Sequence, residues 1–222
     1  MLDIFEILGP IMVGPSSSHT AGAVRIGNMA RTLLGGEPKR AKLYLHGSFA
    51  ETGKGHGTDR ALIAGLMGMK PDDMDIPKSF DLAQERGLSF QFHEISLREA
   101  HPNTVVLEVE DDCGRTLKMQ ACSTGGGRIL VNKLDDIAVE FSGSYHTLII
   151  YNRDDCGHVG DVTSLLSKSK VNIANMRLHR NTKGGMAIMV IETDQPVPPV
   201  LLQFLDEFSG IEHITYYEKE ED

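Results

Sequence analysis

Two histidines stand in matching company in this chain. His19 lies in GPSSSHTAG, behind Ser16, Ser17 and Ser18 and ahead of Thr20 and Gly22. His56 lies in HGSFAETGKGHGTDRALIAGL, with Lys54 before it and Gly57, Thr58 and Asp59 after it. Each stretch runs from a glycine-rich polar segment into an apolar helical pattern. At a helix start, hydroxyl oxygens accept from amides that have no partner within the helix. The same amides, with the helix dipole, attract an anion. Glycine lets the backbone approach a ligand, and an imidazole exchanges a proton near neutral pH. One serine satisfies an ordinary cap, whereas three serines with His-Thr exceed that need. These residue types suit chemistry on a small hydroxy or amino acid: an anchor for its carboxylate and a base for its carbon-bound proton. A plain cap with a surface histidine accounts for either stretch taken alone.

A third segment, CSTGGGRI, offers Ser123, Thr124, Gly125, Gly126 and Gly127. It reads either as a further wall of the same pocket or as a glycine turn between strands. His101-Pro102-Asn103-Thr104 reads as a turn before a strand. Departure of a hydroxide requires a Lewis acid or a proton donor as well. Cys113, Cys122 and Cys156 are odd in number, widely spaced and free of any C-x-x-C pattern. A zinc or iron–sulfur site made from this chain's own thiols is therefore not expected. No metal site is expected on this chain, and the thiols read as reduced.

The elements that must position these groups follow from periodicity. MLDIFEIL reads as a short amphipathic helix stopped at Gly9-Pro10. His19 to Leu34 carries Ala23, Ile26, Ala30, Leu33 and Leu34 on one face and stops at Gly35-Gly36. AKLYLHGSF is a strand, the glycines of ETGKG form a turn, and His56 to Met69 is a helix that Thr58 or Asp59 can cap. SFDLAQERG is a shorter helix with Gly87 beyond its end. LSFQFHEISL alternates as a half-buried strand. TVVLEVED and RTLKMQACS pair across an Asp-Cys-Gly turn, and RILVNKL and IAVEFSG add further strand. After residue 143 the order becomes regular. YHTLIIYN is a strand, and Val159, Val162, Leu165 and Leu166 mark a helix over Gly157 to Lys168. VNIANMRLHRN and MAIMVIET are strands, Val200, Leu201, Phe204, Leu205 and Phe208 mark a helix, and IEHITYYE is the last strand. That order is βαββαβ, the split ferredoxin-like motif.

Composition narrows the function class. At 222 residues, 41% apolar and 24% charged, the chain fits a globular protein of one large or two small domains. Its 31 acidic residues outnumber 22 basic ones, giving a net charge of −9. A nucleic-acid surface or an anionic-membrane surface, which needs a basic patch, is thereby disfavoured. No apolar run approaches the roughly 20 residues of a membrane span. The N-terminus carries acids where a signal peptide has a positive start, so a cytoplasmic protein is expected.

Together, GPSSSHTAGAVRIG, HGSFAETGKGHGTD, HPNTVVLEV and STGGGRI resemble the β subunits of bacterial iron–sulfur-dependent L-serine dehydratases (L-serine ammonia-lyases). The resemblance spans essentially the whole chain. It implies an α+β fold: a mixed α/β serine dehydratase β domain over residues 1–142, then a ferredoxin-like βαββαβ ACT domain over 143–222. The first domain would be related to the allosteric substrate-binding domain of some phosphoglycerate dehydrogenases. The implied activity is conversion of L-serine to pyruvate and ammonia, in amino-acid degradation. A [4Fe-4S] cluster held by a separate α chain would act as the Lewis acid. His19 and His56 would be acid–base or substrate-contacting groups, and the serines and threonine of the first motif would hold L-serine.

In many ACT domains a ligand lies where this chain has Gly157, His158, Val159, Asn172 and Asn175. His158 is bulkier than the residue usual there, so a dimerisation module without an effector stands beside the effector reading. Self-association through either domain is expected. A regulatory subunit that binds L-serine or a related acid without chemistry is the second functional reading. The two histidines favour catalysis, since carboxylate capture alone would be better served by arginine.

Overall fold

A computed structural model of the chain describes residues 12–219, Lys54 by its backbone alone. The helix expected over MLDIFEIL and the terminal acids Glu220, Glu221 and Asp222 lie outside these residues. The chain divides into two compact units, the first ending at Asp136 and the second beginning at Ile137. By this division residues 137–142, expected to close the first domain, fall in the second unit.

The first unit is built on β1 (Arg40–His46), β2 (Ser89–Ile95), β3 (Thr104–Glu110), β4 (Thr116–Gly125) and β5 (Arg128–Leu134). They lie in the order β2-β1-β3-β4-β5. β1 and β2 are parallel, while β1–β3, β3–β4 and β4–β5 are antiparallel. A parallel pair needs a crossover. Here three helices make it: α2 (Ser48–His56), α3 (Thr58–Leu66) and α4 (Ser79–Glu85), while α1 (Gly22–Leu34) precedes β1. Alternation sends Ala41, Leu43 and Leu45 of β1, and Val105, Leu107 and Val109 of β3, into the core. That core is shared with Ala23, Ile26, Met29, Ala30 and Leu33 of α1 and Leu62, Ile63 and Leu66 of α3. α1 ends where expected, at Gly35 in the left-handed conformation. α4 ends the same way at Gly87, with the Leu88 N–H donating to the Ala83 carbonyl at 2.9 Å.

The second histidine motif departs from its expected form. The glycines of ETGKG do not make a turn, because Ser48 to His56 is helical. Glycine weakens a helix. Phe49, wholly buried, nonetheless anchors this one, and the Gly47 carbonyl accepts from Ala50 and Glu51 at 3.0 Å. Tertiary anchoring outweighs propensity over so short a span. His56 therefore closes a helix instead of opening one. Gly57, with φ 72°, redirects the chain into α3, and neither Thr58 nor Asp59 caps it. Thr58 is buried and Asp59 accepts from the Arg60 N–H at 2.8 Å.

The second unit opens with β6 (Ile137–Phe141). It continues through β7 (His146–Arg153), α5 (His158–Lys168), β8 (Ile173–Arg180), β9 (Met186–Thr193), α6 (Pro199–Asp206) and β10 (Ile211–Tyr217). Its antiparallel sheet runs β10-β7-β9-β8, the ferredoxin-like arrangement. Leu148, Ile150, Met189 and Ile191 pack against Val162 and Leu166 of α5 and Leu201 and Leu205 of α6. Val159, expected inward, is exposed in the first turn of α5, and Val200 and Phe204 are exposed on α6.

Candidate active site

The Ser-Ser-Ser-His-Thr stretch does not enter an α-helix directly. Ser17–Ala21 forms a single π-helical turn, and α1 continues from Gly22. Ser16 is the cap: its backbone is extended, and its Oγ accepts from the His19 N–H at 3.2 Å. The same Oγ lies 3.2 Å from His19 Nδ1. On the other side of the ring, Nε2 lies 3.0 Å from Ser48 Oγ at the first residue of α2. Two turns further along α2 stands His56, its ring centroid 5.0 Å from that of His19 at an interplanar angle of 67°. Phe49 sets its ring edge-on to His19 at 5.5 Å. The unexpected helix α2 is thus what brings the two histidines together.

The third segment joins them. Gly22 has no side chain, and Ser123 of β4 occupies the space: a Cβ there would lie 2.7 Å from Ser123 Cβ. Ser18 Oγ would lie 3.9 Å from a Cβ on Gly125. Gly125, Gly126 and Gly127 all have positive φ. Arg25 of α1 donates to the Gly127 carbonyl at 3.2 Å and fixes this turn over the first helix. The Ser123 N–H donates to the Asn103 carbonyl at 3.0 Å, so the turn over 101–104 supports the same wall. Thr20 Oγ1, Thr58 Oγ1 and Ser123 Oγ are buried and have no hydrogen-bond partner among the described residues. An unpaired buried hydroxyl costs about 1–3 kcal/mol, and two of these three, Thr20 and Thr58, belong to the histidine motifs themselves.

Burial holds the His19 imidazole below the ordinary 6.5, the charge of His56 adds to this, and the hydrogen bond with Ser48 opposes it. A depressed value keeps this ring neutral at pH 7, able to accept a proton or orient a neighbour. His56 is exposed and makes no hydrogen bond among the described residues. The ring nitrogens of His19, by contrast, face Ser16 and Ser48. Ser48 and Arg25 were not singled out by spacing. Ser48 carried one signal, its place beside Gly47 in the second motif. The side chain of Lys54 lies outside the description.

The three cysteines differ in setting. Cys122 is buried in β4, while Cys113 and Cys156 are exposed on separate turns. Among the described residues, the one group of metal-ligating type is Asp111, Asp112 and Cys113. There Asp111 already accepts from Arg115 at 2.7 Å.

In the second unit the two asparagine amides considered for an effector are engaged within the chain. Asn172 Nδ2 donates to Asp194 Oδ2 at 2.6 Å, and Asn175 Nδ2 donates to Glu192 Oε2 at 2.9 Å. His158 is buried beside Asp155 and against Gly210, while Val159 is exposed. Gly157, φ 111°, starts α5.

The sequence profile described as "Serine dehydratase beta chain" matches residues 1–86, a span holding both histidine motifs. The chain is similar to "Probable L-serine dehydratase, beta chain" of Bacillus subtilis (strain 168), 38% identical over 96% of each chain. It is similar to "L-serine dehydratase, beta chain" of Peptoniphilus asaccharolyticus, 39% identical over 95% of this chain and 94% of that one. A D-3-phosphoglycerate dehydrogenase of Archaeoglobus fulgidus is 27% identical over 88% of this chain but only 37% of that protein.

Proposed function

The chain belongs to the serine dehydratase beta-chain family, and on that premise we propose that it is the β subunit of a two-chain L-serine dehydratase. It works with an α chain in the cytoplasm, turns L-serine into pyruvate and ammonia, and donates side chains to a shared active site. The observation that carries this reading is the pair of imidazoles 5.0 Å apart, drawn from two separate motifs, with the Ser16 and Ser48 hydroxyls on either side of His19.

The roles follow from the geometry. The turn Ser16 to Thr20, with Ser123 and Thr58 behind it, holds the carboxylate. His56 reaches the α-carbon and removes its proton, because its ring is exposed and unengaged. His19, neutral and held by Ser16 and Ser48, packs edge-on against His56 and orients its ring, which carries the proton it has taken. The [4Fe-4S] cluster that the resemblance implies, held by the α chain, would supply the Lewis acid for the serine hydroxyl. The aminoacrylate product hydrolyses to pyruvate and ammonia in water. The second unit serves as an ACT-type self-association module without an effector, since both asparagine amides are already engaged.

One alternative is a subunit that binds L-serine without chemistry, which a hydroxyl-rich helix start beside His19 would also serve. Pyruvate formation by the two-chain complex, reconstituted without air, separates the two. His56→Ala is expected to lower kcat by on the order of 10²–10⁴ while substrate still binds. Full turnover in both His19→Ala and His56→Ala overturns the catalytic assignment and leaves the binding role.

A further inference from the structure

The sheet face of the first unit turned away from α1 and α3 holds a second concavity of about 370 Å³. None of its lining residues belongs to the His19 site. Strand register builds it. Tyr44 pairs with Val106, Val106 with Gln120, and Gln120 with Lys133, which makes one rung across four strands. The next rung places Glu108 opposite Lys118. Ile95 and Leu97, at and beyond the end of β2, add an apolar side.

The charges in this concavity balance. Lys118 Nζ lies 3.0 Å from Asp136 Oδ1, and Asp136 is held there in a positive-φ turn (φ 69°). Tyr44 Oη donates to Glu108 Oε2 at 3.3 Å, which leaves the other carboxylate oxygen open. The Lys133 ammonium and the Gln120 amide have no partner among the described residues. A phosphate or another polyanion would meet two carboxylates here, so the lining disfavours it. One open cation, one half-open carboxylate and an apolar wall suit a zwitterion with a hydrophobic substituent. A pocket of this volume is large enough for one small molecule.

We propose that this concavity binds a free α-amino acid with an apolar side chain. The carboxylate rests on Lys133 and Gln120, the ammonium on Glu108, and the side chain against Ile95, Leu97 and Val106. Such a ligand differs from L-serine by its apolar side chain. The site is therefore an effector site, and it stands whether or not the catalytic reading does. Titration calorimetry on the full chain with L-valine tests it. Saturable heat is expected, weakened about tenfold or more in Lys133→Ala and in Glu108→Gln, or at least 1.4 kcal/mol each. His19→Ala is expected to leave it unchanged. Both replaced side chains lie on the solvent side of the sheet, and circular dichroism verifies that the variants fold. Absence of saturable heat overturns the proposal, as does L-valine binding that survives both substitutions. Isobutyrate or isobutylamine binding as tightly as L-valine overturns the zwitterion assignment.

Discussion

A neutral imidazole packed edge-on against a second one sets the pH behaviour of the site. Folding lowers the His19 value below 6.5 through burial and the charge of His56. The unfolded chain thus binds more protons at this position near pH 6. Stability from keeping the ring neutral is fully present above the ordinary histidine value, and it is lost as pH falls through the folded one. In a proton NMR titration the His19 ring should show a midpoint below 6.5, and His56→Ala should raise it. An unmoved midpoint in that variant would mean the rings are not coupled. At this scale the motifs displayed the chemistry, namely hydroxyls, glycines and imidazoles beside helix starts. They did not display Ser48 Oγ at 3.0 Å from His19, because a partner 29 residues away has no local signature.

The crossing of α1 and α3 decides whether those groups meet. Gly27 and Gly65 face each other there, so the two backbones touch. A Cβ on Gly65 would lie 2.9 Å from Gly27 Cα and closer still to the Val24 carbonyl oxygen. Helix propensity alone favours alanine over glycine by about 1 kcal/mol. Backbone contact at that distance outweighs it, because neither helix can yield without moving the turn at Ser17–Ala21 or the start of α3. Gly65→Ala is expected to cost about 1–3 kcal/mol of stability, read by urea denaturation, and to reduce turnover of the reconstituted complex as well. A stabilised variant would show that the helices separate freely. Helix α2 teaches the complementary lesson. Its glycines read as a turn, yet Phe49 in the core and the Gly47 carbonyl hold it helical. Burial of one aromatic side chain is a tertiary fact, and local propensity does not contain it.

Each unit carries its own buried core, and in the second that core is complete within β7 to β10 and their two helices. The fragment Ile137–Asp222 should therefore unfold cooperatively by circular dichroism when produced alone. Leu166→Ala in it should cost about 2–5 kcal/mol. A fragment without dispersed NMR signals would refute that independence. No helix among the described residues is long and apolar enough to cross a membrane. The βαββαβ order of the second unit was legible because each element has a clear period of its own and short connections leave few ways to pair the strands. The first unit's parallel pair, with three helices between its strands, was not legible, since no periodicity says which distant strand lies beside β1. By itself the sequence determined the residue types at the site and the strand and helix periods. Only the tertiary structure decided that the rings of His19 and His56 meet, that Ser123 fills the space beside Gly22, and that the open sheet face carries a charge-balanced concavity. These contacts join residues far apart in the chain, and their strength comes from burial and close approach, which exist only once the chain has closed on itself.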